Sequence, residues 1–172
     1  MIETKQVAAL AGQPPAITSA RYPQPLLAAA IIAVDGVSFL LVGSGALWLR
    51  GEDIFVADVD LVVEPGEQNA SRLHAALTEL AVRPQLVPAP RSLHRLDILS
   101  VTSSFGRVDC LLQRGRADWQ RLLRSAGYVN VADAEVRVAS ARDAWALRRQ
   151  FKKLGRPDGA DINGRTQRRW PG

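Results

Sequence analysis

The sequence predicts one α/β (or α+β) domain, and three observations support this prediction. Apolar β-branched segments alternate with helix-like segments, without an internal repeat or a linker. The 172 residues suffice for one domain, and a hydrophobic content of 47% can supply its core. No apolar run reaches the roughly 18 residues of a membrane span. The N-terminus has no secretion signal, and the single Cys110 excludes an internal disulfide. We therefore expect a cytoplasmic domain with no membrane contact.

The first half of the chain predicts helices and strands in alternation. Residues 1–22 lack a pattern and are expected to form a loose arm. Asn69 or Ser71 is expected to cap the last helix of this half, because short polar side chains bind free helical N–H groups. In order, the predicted elements are a helix over 23–34, a strand over 37–42, a Gly-Ser-Gly turn opening a helix over 46–50, a strand over 56–63 and a helix over 69–81.

The second half predicts a strand pair, a helix, a short strand and a basic helix. Asp118 is expected to cap the first of these helices. We expect a mixed sheet with helices packed on it, within a domain over 23–162 that is followed by a basic tail over 163–172. In order, the predicted elements are strands over 98–102 and 107–112, a helix over 118–125, a strand over 135–138 and the basic C-terminal helix over 142–154, ending at Gly155.

Positive charge is concentrated near the C-terminus. Residues 141–172 contain nine Lys and Arg residues but only three Asp residues, within a chain whose net charge is +5. A basic surface of this kind attracts polyanions such as RNA, DNA or a nucleoside triphosphate. The alternative is an ordinary solvated helix surface followed by a basic tail.

Two aspartates in the second predicted strand are candidates for metal ligation. Because side chains alternate along a strand, Asp58 and Asp60 lie on one face, with their Cα atoms roughly 7 Å apart. Two carboxylates on one face repel each other unless a cation lies between them, and Mg²⁺ prefers such oxygen ligands. A solvent-exposed strand edge is the alternative interpretation.

A glycine-rich segment and a third aspartate make this pair more specific. Gly43 and Gly45 allow a ligand to approach the backbone closely, and Ser44 adds a hydroxyl. Asp109 lies within an apolar strand, where an unpaired carboxylate is costly. Sharing a metal ion with the first two aspartates would offset that cost. The alternative is an ion pair of Asp109 with Arg107 or Arg95.

These motifs resemble the nucleotidyltransferase fold of the DNA polymerase beta superfamily. The resemblance is carried by "VGSG", "DVDLVV" and "SSFGRVDCLL" in this order, and by the closing segment "VRVASARDAWALRRQFKKLGRPDGADI". The chain is most similar to a small bacterial branch that includes abortive-infection-type toxins of type IV toxin–antitoxin systems. The matching segments extend from about residue 23 to residue 162.

The resemblance implies a nucleotidyltransferase-like fold and a transfer reaction. Asp58, Asp60 and Asp109 would be catalytic and would bind two Mg²⁺ ions, with Mn²⁺ as a substitute. The substrate would be an NTP, the acceptor an RNA 3′ end or a protein hydroxyl, and an antitoxin could be a partner. The family's closing motif usually carries a lysine that this chain lacks. The residues expected to bind the nucleotide are Gly43, Ser44, Lys152, Lys153 and Arg156.

Two other classes of function stay open at this point. The missing lysine and the short chain fit a family member that binds a nucleotide, nucleic acid or partner protein without catalysis. The basic C-terminal third also fits a plain nucleic-acid-binding domain. A nucleotidyltransferase is expected to bind a triphosphate only with Mg²⁺. A plain nucleic-acid-binding domain would instead bind nucleic acid with an affinity that depends on salt and not on Mg²⁺ or triphosphate.

Overall fold

The computed structural model describes residues 21–112 and 115–153, with the backbone alone over 150–153. In this part of the chain, six strands form one mixed sheet with helices packed on it, which confirms the predicted α/β class. The helices are α1 (Gln24–Val34), α2 (Gly43–Leu49), α3 (Glu67–Leu80), α4 (Pro90–Leu93), α5 (Arg116–Arg124) and α6 (Ala141–Lys153). The strands are β1 (Phe39–Val42), β2 (Asp58–Val63), β3 (Ile98–Ser103), β4 (Gly106–Leu111), β5 (Gly127–Val131) and β6 (Ala134–Val138).

The strand order in the sheet is β3-β4-β2-β1-β6-β5. Strands β2 and β4 are parallel, as are β1 and β6, while the other neighbours are antiparallel. Every residue of β1 and β2 is buried, whereas β3 alternates between buried and more exposed positions. Strands covered on both faces are expected to be continuously apolar. The aspartates of β2 are therefore exceptional in their setting.

Helix α1 packs against β2, β4 and β6. Pro25 lies in its first turn, where the missing N–H of proline removes no helical hydrogen bond. Leu26 and Ile32 are fully buried, and alanines between them allow a close approach to the sheet. The helix ends at Val34, and the chain then turns at Gly36, which has a φ of +74° that favours glycine.

The predicted capping role of Asn69 and Ser71 is wrong. Helix α3 begins earlier, at Glu67, so Asn69 lies inside the first turn. The side chain of Asn69 is buried and instead binds the backbone of the preceding segment. It accepts a hydrogen bond from the Ser38 N–H at 2.7 Å and donates to the carbonyl oxygens of Ser38 and Glu64 at 2.8 and 2.9 Å. It therefore joins the start of β1 to the end of β2.

The predicted cap at Asp118 is also wrong. Helix α5 begins at Arg116 after Gly115, which places Asp118 in the first turn. There its carboxylate accepts hydrogen bonds from Arg121, one turn along the helix. A carboxylate in the first turn still interacts favourably with the helix dipole.

Several predicted segments lie wholly or partly outside the described residues. These are most of the arm over 1–22, the tail over 163–172, and Gly155 at the predicted helix end. Tyr22, at the end of the predicted arm, packs edge-on against Trp48 and donates a hydrogen bond to the Asn130 carbonyl.

In the described residues, no helix combines the length and apolar character needed to cross a membrane.

Candidate active site

Strands β2 and β4 bring three carboxylates onto one face of the sheet. Asp60 and Asp109 are register partners in the parallel pair, so their side chains lie side by side. Asp58 precedes Asp60 by two residues and therefore lies on the same face. We call Asp58, Asp60 and Asp109 the carboxylate cluster.

The opposite face of the two strands explains this orientation. Val59, Leu61, Val108 and Cys110 alternate with the aspartates, and all four are fully buried. Because these side chains are buried, the register of each strand is fixed. A shift of one residue would place the carboxylates in the apolar layer. The apolar positions thus force the cluster onto the other face.

The cluster is buried although carboxylates usually lie at the surface. Asp60 has a relative exposure of 3%, Asp109 of 5% and Asp58 of 8%. Carboxylates at this depth are expected to have partners, because an isolated buried charge is costly. The Asp60 and Asp109 charges also affect the layer below. Burial raises the pKa of the Cys110 thiol above its usual range, and the two nearby carboxylates raise it further.

Gly43 lies directly against the Asp60 carboxylate. A Cβ atom at Gly43 would overlap Asp60 Oδ2, and the φ of Gly43 is +63°, so both space and backbone conformation require glycine. The glycine-rich segment forms no separate turn, contrary to the prediction: β1 ends at Val42 and α2 begins at Gly43 itself. Ser44, the next residue, is buried at 7% exposure.

Arg107 bridges two members of the carboxylate cluster. Its Nη2 atom lies 2.8 Å from Asp58 Oδ2, and its Nε atom lies 3.3 Å from Asp109 Oδ2. Arg107 is the register partner of Asp58 on β4, which places the guanidinium on the carboxylate face. Of the two ion pairs considered for Asp109, the structure contains the one with Arg107.

Arg107 is the site residue that sequence reasoning underestimated. Its position two residues before Asp109 already places both side chains on one face of a strand. The contact with Asp58, by contrast, depends on the pairing of β2 with β4, for which the sequence carries no local signal.

The donor chemistry of the cluster suits Mg²⁺ in part. Mg²⁺ is usually held by one or two carboxylates together with waters and substrate phosphates, and the adjacent Asp60 and Asp109 provide such a pair. In the described part of the chain, no three His, Cys, Asp or Glu side chains form a group that could hold a metal ion. In this structure, Asp58 and Asp109 are instead in contact with the Arg107 guanidinium.

The predicted basic residues are only partly placed. Lys152 and Lys153 belong to α6, whose backbone packs against α2, the helix that begins at Gly43. Their side chains and the whole of Arg156 lie outside the described residues.

Comparisons with known proteins give one structural similarity. No family model matches the sequence, and no curated protein matches it. Among solved structures, the chain is similar to a "putative nucleotidyltransferase" from Thermotoga maritima, with 13% identity and a TM-score of 0.48. The similarity covers 72% of this chain and 81% of that one.

Proposed function

We propose that this protein is a metal-dependent nucleotidyltransferase that moves a nucleoside monophosphate from an NTP to a hydroxyl acceptor. The observation that carries the proposal is the carboxylate cluster, three buried aspartates on one face of two parallel strands. The cluster lies directly against Gly43, where no side chain fits. This arrangement is suited to binding a cation together with a triphosphate. The sequence resemblance to the nucleotidyltransferase fold supports the same function.

Each residue has a distinct role in this proposal. Asp60 and Asp109 bind Mg²⁺, or Mn²⁺ in its place, and Asp58 joins them when it is released from Arg107. When bound, such ions neutralise charge on the triphosphate and lower the pKa of the acceptor hydroxyl. Asp109 also accepts the proton of that hydroxyl.

Substrate positioning falls to the glycine-rich segment and to α6. Gly43 and Ser44, at the start of α2 and beside Asp60, hold the β- and γ-phosphates. Lys152, Lys153 or Arg156 balances the charge of the leaving pyrophosphate. The nine basic residues of 141–172 would hold an RNA acceptor through its phosphates. With a protein acceptor, transfer to a partner such as an antitoxin is the corresponding reaction.

A second candidate function is nucleotide or partner binding without catalysis. The bridge of Arg107 between Asp58 and Asp109 favours it, because a guanidinium can offset the charge of two carboxylates without any metal ion. On this alternative, the cluster is a structural ion-pair network and no transfer occurs.

A labelling experiment distinguishes the two functions. The native protein is incubated with each α-³²P-labelled NTP, Mg²⁺, and total cellular RNA and protein, beside the Asp58→Ala/Asp60→Ala double variant. We expect label on RNA or on protein with the native chain alone. Equal label with the double variant would contradict the proposed mechanism, and absence of label with a folded native chain would favour the binding function.

A further inference from the structure

The contacts of Arg107 suggest a role beyond an ordinary ion pair. The guanidinium touches one oxygen each of Asp58 and Asp109, two carboxylates that lie on different strands. A cation placed between two carboxylates is the arrangement that a divalent metal ion would also adopt. Arg107 and a metal ion would therefore share Asp58 and Asp109 as binding partners.

The exposure of the three side chains is unequal. The Arg107 side chain is 32% exposed, whereas those of Asp58 and Asp109 are 11% and 7% exposed. Arginine reaches its partners through a long flexible chain, and its charged end can move into water without moving the strand. The aspartates, with short side chains on buried strands, cannot leave. If one member of the bridge moves, it is Arg107.

We propose that Arg107 is a displaceable counter-ion, which competes with a divalent metal ion for Asp58 and Asp109. This inference rests on the proposed metal-binding function of the cluster. Without metal, the guanidinium offsets part of the repulsion between Asp58 and Asp109. Metal binding releases the guanidinium toward solvent, where it is free to face an incoming phosphate.

The competition predicts opposite effects on stability and on metal affinity. Arg107→Gln removes the positive charge, so the carboxylates repel one another and the metal-free Tm falls. The same change removes the competing cation, so the affinity for Mn²⁺ rises, by about tenfold, because like charges at short range repel strongly. A residue that only positioned the carboxylates would lower both quantities when removed.

The test measures Mn²⁺ binding without nucleotide. Free Mn²⁺ is followed by electron paramagnetic resonance during titration, and Tm is recorded with and without Mn²⁺. The matched control is Arg137→Gln, which removes the same charge from β6, where Arg137 contacts Tyr128 instead of a carboxylate. We expect tighter Mn²⁺ binding in Arg107→Gln alone, with a larger rise in its Tm on Mn²⁺ addition.

Each outcome bears on a different claim. If the native chain binds Mn²⁺ and Arg107→Gln binds it no more tightly, the inference is overturned and the proposed metal site survives. If neither binds Mn²⁺, both fail. Binding by Arg107→Gln alone would support the inference, with Arg107 blocking the native site.

A second measurement is made on the native protein, and a charge-conserving variant serves only to assign the signal. The Arg107 Nε–H resonance is assigned in ¹⁵N-labelled protein by its disappearance in Arg107→Lys, which keeps the charge but lacks the planar fork. Saturating Mg²⁺ is expected to shift this resonance and to increase its exchange with water. A resonance unchanged at a Mg²⁺ concentration that saturates the site would overturn the inference.

Discussion

Gly43 and Asp60 approach each other so closely that no side chain can stand between them. Their contact joins the start of α2 to the carboxylate cluster, across the antiparallel pair in which Val42 faces Asp60. The glycine-rich segment and the aspartates are therefore parts of one site, and a change at either should affect the other.

Gly43→Ala is expected to displace Asp60 and to destabilise the fold. Its Cβ would overlap Asp60 Oδ2, in addition to the strain of an alanine at positive φ, so we expect a loss of about 2–3 kcal/mol in the free energy of unfolding. Gly36→Ala is the matched control, since Gly36 also has positive φ but no atom within 4 Å of the added Cβ. For Gly36→Ala, urea denaturation should show a decrease of about 1 kcal/mol in the free energy of unfolding. Equal losses at both positions would mean that the contact with Asp60 is unimportant.

Asn69→Ala is expected to separate the start of β1 from α3. The substitution removes three hydrogen bonds to partly buried backbone groups of Ser38 and Glu64, at a cost of about 2–3 kcal/mol, although the Ser38 carbonyl keeps its hydrogen bond from the Glu64 N–H. Ser71→Ala, which removes one exposed hydrogen bond to the Glu67 carbonyl, should change stability by less than about 0.5 kcal/mol. Chemical denaturation measures both, and a loss at Asn69 as small as that at Ser71 would refute its structural role.

Asp143 is expected to stabilise the protein in a pH-dependent way. Burial alone would raise its pKa, but hydrogen bonds from Ser125, Ser140 and Arg121, with the charge of Arg121, lower it below the usual 3.8. A carboxyl whose pKa is lower in the folded state contributes stability above the unfolded pKa and loses it as the pH falls through the folded value.

Asp143→Asn should therefore lower Tm at pH 7. We expect the free energy of unfolding to fall by about 1–2 kcal/mol. The difference from the native chain should shrink as the pH falls below about 4. Calorimetry between pH 2.5 and 7 measures this. A difference that stays constant across the range would show that the charge of Asp143 contributes nothing.

Unlike Asp143, Asp35 is expected to destabilise the folded protein at neutral pH. Burial raises its pKa, and the nearby charge of Glu79 raises it further, so the ionised form is unfavourable in the folded state. The penalty is present at pH 7 and disappears as the pH falls below the usual 3.8. Asp35→Asn should raise Tm at pH 7 but not at pH 3, whereas the exposed Asp53→Asn should change neither. A lower Tm at pH 7 would contradict this.

The local pattern of the sequence predicts much of the fold but not the pairing of its strands. Alternation in β2 and β4 places Asp58, Asp60 and Asp109 on one face of their own strands. That Asp60 and Asp109 become neighbours depends on the parallel pairing of β2 with β4, which are separated by α3 and β3. No local signal encodes that register.

Strand β5 was missing from the predicted elements for a different reason. Its hairpin with β6 turns at Ala132 and Asp133, which both have positive φ. Such turns usually carry Asn-Gly or a similar pair, so Ala-Asp gives no hairpin signal. Tyr128 in this edge strand is also largely exposed, which leaves little apolar pattern to detect.

The central claim is that the carboxylate cluster binds a triphosphate through a divalent metal ion. Its most direct test is equilibrium binding of each NTP to the native chain and to Asp60→Asn/Asp109→Asn, with Mg²⁺ and with EDTA. We expect binding that requires Mg²⁺ in the native chain and is lost in the double variant. Binding that is equal in all four conditions and falls only with added salt would contradict the claim.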